Sequence, residues 1–157
     1  MNTLRFYKVK DRYINYLHEF DSRVQYNKNE KRPYVGVVLN INEFKYYVPL
    51  EHPRQSHLNI KNNSWILKIN GGKLGIMGFN NMIPIKSSEL ITFAFSDLDD
   101  NMCKLYTKQF IFCNRNRSLI YSKALNTYNS VIGSSGKYIN SICCDFLLLE
   151  KKCAEYK

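Results

Sequence analysis

The sequence predicts an α+β fold: a compact twisted antiparallel sheet or partly open barrel with helices, in which the C-terminal half is mainly helical. Short segments rich in β-branched and aromatic residues fill the chain from residue 34 to residue 95. After residue 97, apolar residues recur at helical spacing. Strands followed by helices are typical of α+β proteins, whereas a parallel doubly wound sheet needs regular alternation. With 157 residues and 45% hydrophobic content, residues 1–157 are expected to form one domain.

A strand and a short helix are predicted first. Residues 5–9 alternate as in a strand. Asp11 is expected to cap a helix, in which apolar side chains recur at helical spacing: Tyr13, Ile14, Leu17 and Phe20. Residues 21–32 are mostly polar and charged, and therefore predict a loop.

Two hairpins and two further strands are predicted next. The strands are expected at residues 34–41, 44–50, 65–69, 74–79, 82–85 and 90–95. Asn42-Glu43 is a plausible tight connection for the first hairpin, and Asn70-Gly71-Gly72 for the second. Together with the first strand, these segments give a compact set of about six or seven short strands.

Three helices are predicted in the remainder of the chain. Asp97, Asp99 and Asp100 precede the first, and acidic residues favour the N-terminal end of a helix. Ser118 is expected to cap the second, which should end at residues 133–136 because two glycines and two serines follow its last apolar residue. The last helix is expected to begin near Tyr138 and to continue through Leu149.

The charge balance favours a polyanionic partner. Lys and Arg number 23 against 13 Asp and Glu, which gives a net charge of +10 and puts nucleic acid or an anionic membrane surface first among possible partners. The longest apolar runs fall far short of the ~20 residues that a bilayer requires. The N-terminal residues lack the pattern of a secretory signal, and the five cysteines form an odd set typical of reduced core thiols. A cytoplasmic location is therefore expected.

The segment after the second predicted strand is the richest in groups that can do chemistry. It contains His52, Arg54 and His57 within six positions. Imidazole is the most common general acid or base near pH 7, and an arginine beside it could hold a phosphate. The alternative is a surface loop with two solvated histidines.

A second cluster contains Tyr26, Lys31 and Arg32, in the long loop before the first hairpin. Cations among tyrosines suit RNA, because cations bind phosphates and aromatic faces stack on unpaired bases. The alternative is a solvated run of charge. Tyr13 and Tyr106 lie in predicted helices, where an aromatic residue usually belongs to the core, although a phenol at a helix end can also reach bound nucleic acid.

Several short motifs, in order along nearly the whole chain, resemble the ToxN/AbiQ toxins, which are the protein halves of type III toxin-antitoxin systems. They include the tail Pro53-Arg54-Gln55-Ser56-His57. The other matching segments are residues 6–7, 11–17, 34–39, 45–50, 78–85 and 105–106.

This resemblance implies a fold similar to the Kid/MazF toxins and an endoribonuclease that acts on single-stranded mRNA. The implied reaction needs no metal or cofactor, because the ribose 2′-hydroxyl attacks the adjacent phosphate and leaves a 2′,3′-cyclic phosphate. The implied partner is an inhibitory antitoxin RNA of repeated pseudoknots, bound in a closed protein–RNA hetero-oligomer. No membrane association is implied.

The resemblance also assigns residues. The loop tyrosine of the family matches Tyr26 and its loop lysine matches Arg32. The family's Thr-Ser-Pro-Lys segment falls on residues 51–54, so that His52 replaces a serine and Arg54 a lysine. Arginine gives up a proton poorly, which makes His52 the expected proton carrier and Arg54 a phosphate clamp.

The site predicted from the resemblance and from the residues has two parts. The expected catalytic residues are His52, Arg54, Arg32 and Tyr26. The expected RNA-binding residues are Tyr13, Lys31, His57 and Tyr106, of which the two helix tyrosines also match family tyrosines. A non-catalytic basic RNA-binding module is the main alternative function, and a DNA-binding repressor is disfavoured because no compact helix-turn-helix pair is evident.

Overall fold

The computed structural model of the protein describes residues 3–61, 63–133 and 141–157. The strands are β1 (Arg5–Val9), β2 (Tyr34–Ile41), β3 (Phe44–Glu51), β4 (Ile66–Lys68), β5 (Ile76–Gly78), β6 (Ile83–Pro84) and β7 (Leu90–Thr92). The α-helices with described bounds are α1 (Asp11–Phe20), α2 (Asp100–Arg115), α3 (Arg117–Ile132) and α4 (Phe146–Glu155). In this part of the chain, no helix is both long enough and apolar enough to cross a membrane.

The strands form one antiparallel sheet, which confirms the predicted α+β class. The order across the sheet is β4-β5-β3-β2-β1-β7, and β6 pairs with β3 beside that path. Both predicted hairpins are present, because β2 pairs with β3 and β4 pairs with β5. Asn42 and Glu43 close the first hairpin with φ angles of 51° and 68°, the left-handed conformation that a two-residue hairpin turn requires.

Several predicted boundaries were wrong, for local reasons. Asp11 is the first residue of α1 and not its cap, because Lys10 occupies the cap position. Similarly, α3 begins at Arg117 after the cap Asn116, two residues before the start that a Ser118 cap would give. In the second hairpin, the strands are only three residues long, because Ile69 joins the predicted turn residues in a turn of 3-10 helix and β5 extends only from Ile76 to Gly78.

The C-terminal segment required a further correction. Asp145 caps α4, and its side chain accepts a hydrogen bond from the Leu148 N–H group at 3.2 Å. Gly133 caps the C-terminal end of α3, as predicted, whereas residues 134–136 and the expected helix start near Tyr138 lie outside the described residues. Residues 143–145 are not helical, so the prediction of one continuous helix through Leu149 was wrong.

A buried carboxylate connects α4 to the sheet. Glu150 Oε2 accepts hydrogen bonds from the Tyr46 hydroxyl at 2.6 Å and from the Tyr128 hydroxyl at 2.8 Å. Tyr46 lies on β3 and Tyr128 on α3, so one group joins three elements. Burial, reinforced by the nearby carboxylate, raises the pKa of Tyr128 to about 12. The phenols therefore stay protonated as donors, and β3 is held firmly against the helices.

Candidate active site

The two loops that carry the predicted site leave the same end of the β2–β3 pair. The first loop enters β2 at Tyr34, and the second begins where β3 ends at Glu51. Tyr34 lies opposite Pro49 in the antiparallel register, and the Leu50 N–H group donates to the Pro33 carbonyl at 2.9 Å. Residues far apart in sequence are thus brought together by strand pairing.

The first loop has a left-handed turn at residues 28–30, where the φ angles are 52°, 57° and 64°. The Asn27 carbonyl accepts hydrogen bonds from the N–H groups of both Lys31 and Arg32, each at 3.2 Å. Asn27 is itself buried, and its side-chain amide donates to the Val9 carbonyl at 2.7 Å. The turn is therefore attached to the end of β1.

Arg32 and Tyr26 are joined through the backbone of this loop. Arg32 is 6% exposed, and its Nε donates to the Tyr26 carbonyl at 2.6 Å. The Tyr26 side chain is 74% exposed and contacts the His18 ring at a centroid distance of 4.9 Å. Lys31 is also exposed. The loop therefore holds a mostly buried guanidinium group in one orientation and exposes an aromatic ring and a solvated cation.

His57 lies beneath the second loop and holds it in shape. It is 2% exposed. Its Nδ1 accepts a hydrogen bond from the Arg54 N–H group at 3.2 Å, and its Nε2 lies 3.3 Å from the Glu51 carboxylate. A ring nitrogen that accepts carries no proton, so the proton is on Nε2 and is donated to Glu51. This burial favours a positioning role for His57 over the predicted RNA contact.

Two glycines support the second loop from below. Gly72 and Gly75 have φ angles of 94° and 98°. A Cβ atom on Gly75 would overlap the Glu51 carbonyl oxygen, and one on Gly72 would overlap the His57 carbonyl oxygen. Only glycine combines this backbone conformation with so close an approach. The turn that contains the two glycines therefore fixes where the loop lies.

Lys28 is the charged residue of the site that the sequence did not single out. Its pKa is lowered by desolvation, which is the largest cause, and by the charges of Arg32 and Arg54, whereas Glu51 acts to raise it. Charged residues of both loops thus affect the pKa of Lys28. The polar segment at residues 21–32 predicted a loop, but its composition gives no signal of the left-handed turn at residues 28–30.

His52 and Arg54 are exposed in the second loop, as a substrate-binding role requires. Arg54 and Arg32 lie in the two loops that flank the same end of the β2–β3 pair. His52 lies two residues before Arg54 along the same loop.

Tyr13 and Tyr106 lie in the core instead of this cluster. Tyr13 is fully buried, and its hydroxyl donates to the Pro84 carbonyl at 2.6 Å. Tyr106 is 8% exposed and packs edge-on against Phe93 at a centroid distance of 5.1 Å. Burial raises the pKa of both phenols. Both tyrosines therefore belong to the core, which is one of the two alternatives that the sequence left open. Their burial argues against the RNA contacts predicted for them.

Comparison with known proteins identifies the family. Residues 5–154 match the family described as toxin ToxN of type III toxin-antitoxin systems. The chain belongs to the ToxN family. It is 32% identical to endoribonuclease ToxN of Bacillus thuringiensis subsp. kurstaki, over 98% of this chain and 84% of that relative. It is 34% identical to endoribonuclease AbiQ of Lactococcus lactis subsp. lactis, over 98% of this chain and 90% of AbiQ.

Solved structures of ToxN-family proteins agree with this assignment. AbiQ, a lactococcal anti-phage endoribonuclease, superposes with a TM-score of 0.86 at 33% identity, covering 99% of this chain and 98% of AbiQ. A type III toxin studied for its selective inhibition by a non-coding RNA pseudoknot superposes with a TM-score of 0.85 at 32% identity, with the same coverage. The family resemblance seen in the sequence is confirmed.

Proposed function

We propose that this protein is an endoribonuclease toxin that cleaves single-stranded RNA without a metal ion. The ribose 2′-hydroxyl attacks the adjacent phosphate, and the products carry a 2′,3′-cyclic phosphate and a 5′-hydroxyl. The observation that carries the proposal is that the loops of Arg32 and Arg54 flank the same end of the β2–β3 pair. The endoribonuclease names of relatives aligned over 98% of this chain support the same reaction.

In this proposal the exposed Arg54 binds the reacting phosphate, and Arg32, which is 6% exposed, adds its positive charge from a mostly buried position. Arg32 is held in one orientation by its hydrogen bond to the Tyr26 carbonyl, which reduces the entropy lost when it engages an anion. Arg54 is exposed, and its guanidinium group can donate bidentate hydrogen bonds to phosphate oxygens. Both positive charges stabilise the negative charge that develops on the phosphate in the transition state. Neither arginine can readily exchange a proton, so another group must do so.

His52 is the proposed group that takes the proton from the 2′-hydroxyl. It is exposed in the loop that carries Arg54, and imidazole exchanges protons near pH 7. The pair formed by Glu51 and His57 fixes the backbone of this loop through the Arg54 N–H group. The exposed ring of Tyr26 is proposed to stack on a base, and Lys31 to contact a neighbouring phosphate.

The proposed partner is a repeated pseudoknot RNA that inhibits the toxin by binding it directly in a closed protein–RNA assembly. The net charge of +10 favours a polyanion, and the pseudoknot inhibition described for a structural relative supports this partner. We also infer a Kid/MazF-like sheet, a single domain over residues 1–157 and a cytoplasmic location. The antiparallel sheet with flanking helices supports the first of these inferences.

The products of cleavage test the proposed function. The purified protein is incubated with single-stranded RNA in EDTA, and the fragment ends are identified by mass spectrometry. Fragments ending in a cyclic phosphate are expected. RNA that is bound but stays intact would instead favour the alternative, a non-catalytic basic RNA-binding module. A short tandem repeat directly upstream of the coding sequence would identify the antitoxin RNA.

A further inference from the structure

A groove with a volume of about 810 Å³ lies between α3 and the part of the sheet formed by β1, β2 and β3. Its lining includes Arg5, Tyr7 and Lys45 from the strands and Tyr121 and Leu125 from α3. Ligand sites in proteins typically have volumes of about 300–1,000 Å³. The groove is therefore large enough to hold part of a nucleic-acid strand.

A β-bulge shapes the sheet side of this groove. Gly36 pairs with Tyr47, whereas Leu39 pairs with the residue just before Tyr47, so residues 37 and 38 are inserted into β2. Both inserted residues line the groove. A Cβ atom on Gly36 would overlap the ring of Tyr47, so the glycine lets this ring lie against the strand. Bulges are frequent next to active sites, where they change the direction of side chains.

The charges and rings that line the groove suit single-stranded RNA. Arg5 and Lys45 are exposed, and none of the described residues that line the groove is acidic. Two aromatic rings also line it, those of Tyr7 and Tyr121. Proteins bind unpaired RNA by combining cations for the phosphates with aromatic faces for the bases. The concave shape favours a strand over the broad surface of an anionic membrane.

The groove lies beside the proposed active site. One of its lining residues, Tyr7, is opposite Tyr34 in the register of β1 and β2. Tyr34 is the first residue of β2 and follows Arg32 by two positions. A strand rises about 3.3 Å per residue, which places the groove residue Gly36 about 7 Å along β2 from Tyr34. A strand of RNA that reaches the two loops can therefore continue into the groove.

The nucleotides beside the cleaved bond need a binding surface, because Tyr13, His57 and Tyr106, three of the four residues predicted to bind RNA, are buried. We propose that this groove binds the substrate RNA next to the cleaved bond, with Arg5 and Lys45 contacting its phosphates. The proposal rests on the endoribonuclease function proposed above. It makes the affinity for substrate depend on the length of the RNA.

Comparison of two RNA lengths tests the groove. The bond that the wild-type protein cuts is first mapped on a long RNA. Two 2′-O-methylated RNAs are then titrated by fluorescence anisotropy, a short one limited to the nucleotides at that bond and a longer one extended on both sides. The wild type should bind the longer RNA more tightly.

Substitutions in the groove should affect only the longer RNA. Arg5→Gln and Lys45→Gln should each weaken its binding roughly tenfold or more, because a hydrogen bond to a charged phosphate is lost, and should leave the short RNA unchanged. Lys104→Gln alters an exposed lysine of α2 and should match the wild type on both RNAs. Equal binding of the two RNAs by the wild type, or equal losses for both RNAs in the groove variants, would overturn the proposal.

Cross-linking of the wild-type protein gives a second measurement that needs no substitution. 4-Thiouridine is placed at successive positions of the longer RNA, and the cross-linked peptides are identified by mass spectrometry. Labels beyond the cleaved bond should cross-link to peptides that contain Tyr7 or Tyr121, whereas cross-links confined to the two loops would contradict the groove. If the wild type cuts no RNA, the endoribonuclease function is refuted, and cross-links in the groove would still establish it as an RNA-binding surface.

Discussion

At the scale of single residues, the proposed mechanism separates binding from proton transfer. Arg32 and Arg54 keep their charge at any pH that the protein survives, so they suit an anion that must be held throughout the reaction. An imidazole such as that of His52 can change charge during a catalytic cycle. In the proposed mechanism, arginine can therefore occupy positions 32 and 54 while His52 transfers the proton.

Replacement of His52 tests its role directly. If this imidazole takes the proton of the 2′-hydroxyl, His52→Ala should lower the single-turnover cleavage rate by about 10²- to 10⁴-fold. RNA affinity should change little, because Arg32 and Arg54 remain. Rapid-quench kinetics give the rate, and fluorescence anisotropy with a 2′-O-methylated RNA gives the affinity. A normal cleavage rate would show that His52 does not take this proton, and Tyr26, Lys31 and Arg32 would then be the candidate catalytic residues to test.

The pKa of Lys28 should respond to its neighbours in opposite directions. Arg54→Ala removes a repulsive charge and should raise the Lys28 pKa, whereas Glu51→Gln removes an attractive one and should lower it further. NMR titration of the labelled lysine side chain measures both shifts. Lys104, an exposed lysine of α2, should titrate identically in all three proteins. Equal Lys28 pKa values in the wild type and both variants would show that the two loops do not meet at this ammonium group.

At the scale of elements, the strands determine where the loops begin, and a glycine turn determines where the second loop lies. Hairpin turns have clear sequence signals, and the Asn42-Glu43 connection was therefore predicted correctly. The left-handed turn at residues 28–30 has no comparable signal, since Lys and Glu rarely adopt that conformation. Local sequence patterns predict the strands and helices. The conformation of the turn at residues 28–30 instead depends on tertiary anchors such as Asn27.

Replacement of Gly75 should disturb the second loop through its support. Gly75→Ala adds a Cβ atom that overlaps the Glu51 carbonyl oxygen at a φ angle of 98°. We expect a loss of stability of about 2 kcal/mol or more, together with slower cleavage. Gly71→Ala is the matched control, because Gly71 also has a positive φ angle but nothing lies within 4 Å of its added Cβ. Urea unfolding and cleavage assays compare the two, and equal losses would rule out the steric explanation.

A carboxylate that joins α1 to the C-terminal residues should make stability depend on pH. Glu89 accepts hydrogen bonds from Arg12 at 2.9 Å and from the Tyr156 hydroxyl at 2.9 Å. The hydrogen bond from Arg12 is the main reason why the Glu89 pKa is lowered from 4.5 to about 2. A lowered carboxyl pKa stabilises the fold above the unfolded value and loses that contribution as the pH falls through the folded value.

The expected window is therefore between pH 4.5 and about 2. Over this range the wild-type protein should lose more unfolding free energy than Glu89→Gln, which lacks the titrating group. Chemical denaturation at a series of pH values measures the difference. Parallel losses in the two proteins would show that Glu89 is not a source of the acid sensitivity.

At the scale of the whole molecule, pairing of β2 with β3 brings the two loops of the proposed site together. Arg32 and His52 are 20 positions apart, yet they flank the same end of two adjacent antiparallel strands. The sequence showed both loops to be rich in candidate residues, and the hairpin prediction placed their ends together. The burial of individual side chains could not be predicted from the sequence in the same way. His57, Tyr13 and Tyr106 carry groups that suit either a site or a core, and only tertiary packing assigns them to the interior.

The net charge of +10 makes a quantitative prediction about RNA binding. Each phosphate that the protein neutralises releases counterions, so the logarithm of the association constant should fall linearly with the logarithm of salt concentration, by about 0.7 per contact for a single strand. If Arg54 binds a phosphate, Arg54→Ala should make this slope shallower by about 0.7. Lys104→Ala, which removes an exposed charge from α2, should leave it unchanged. Titrations from low to high salt with a 2′-O-methylated RNA measure all three slopes. An affinity independent of salt would show that the charge does not act in RNA binding, whereas a steep slope unaltered by Arg54→Ala would place the phosphate contacts elsewhere on the surface.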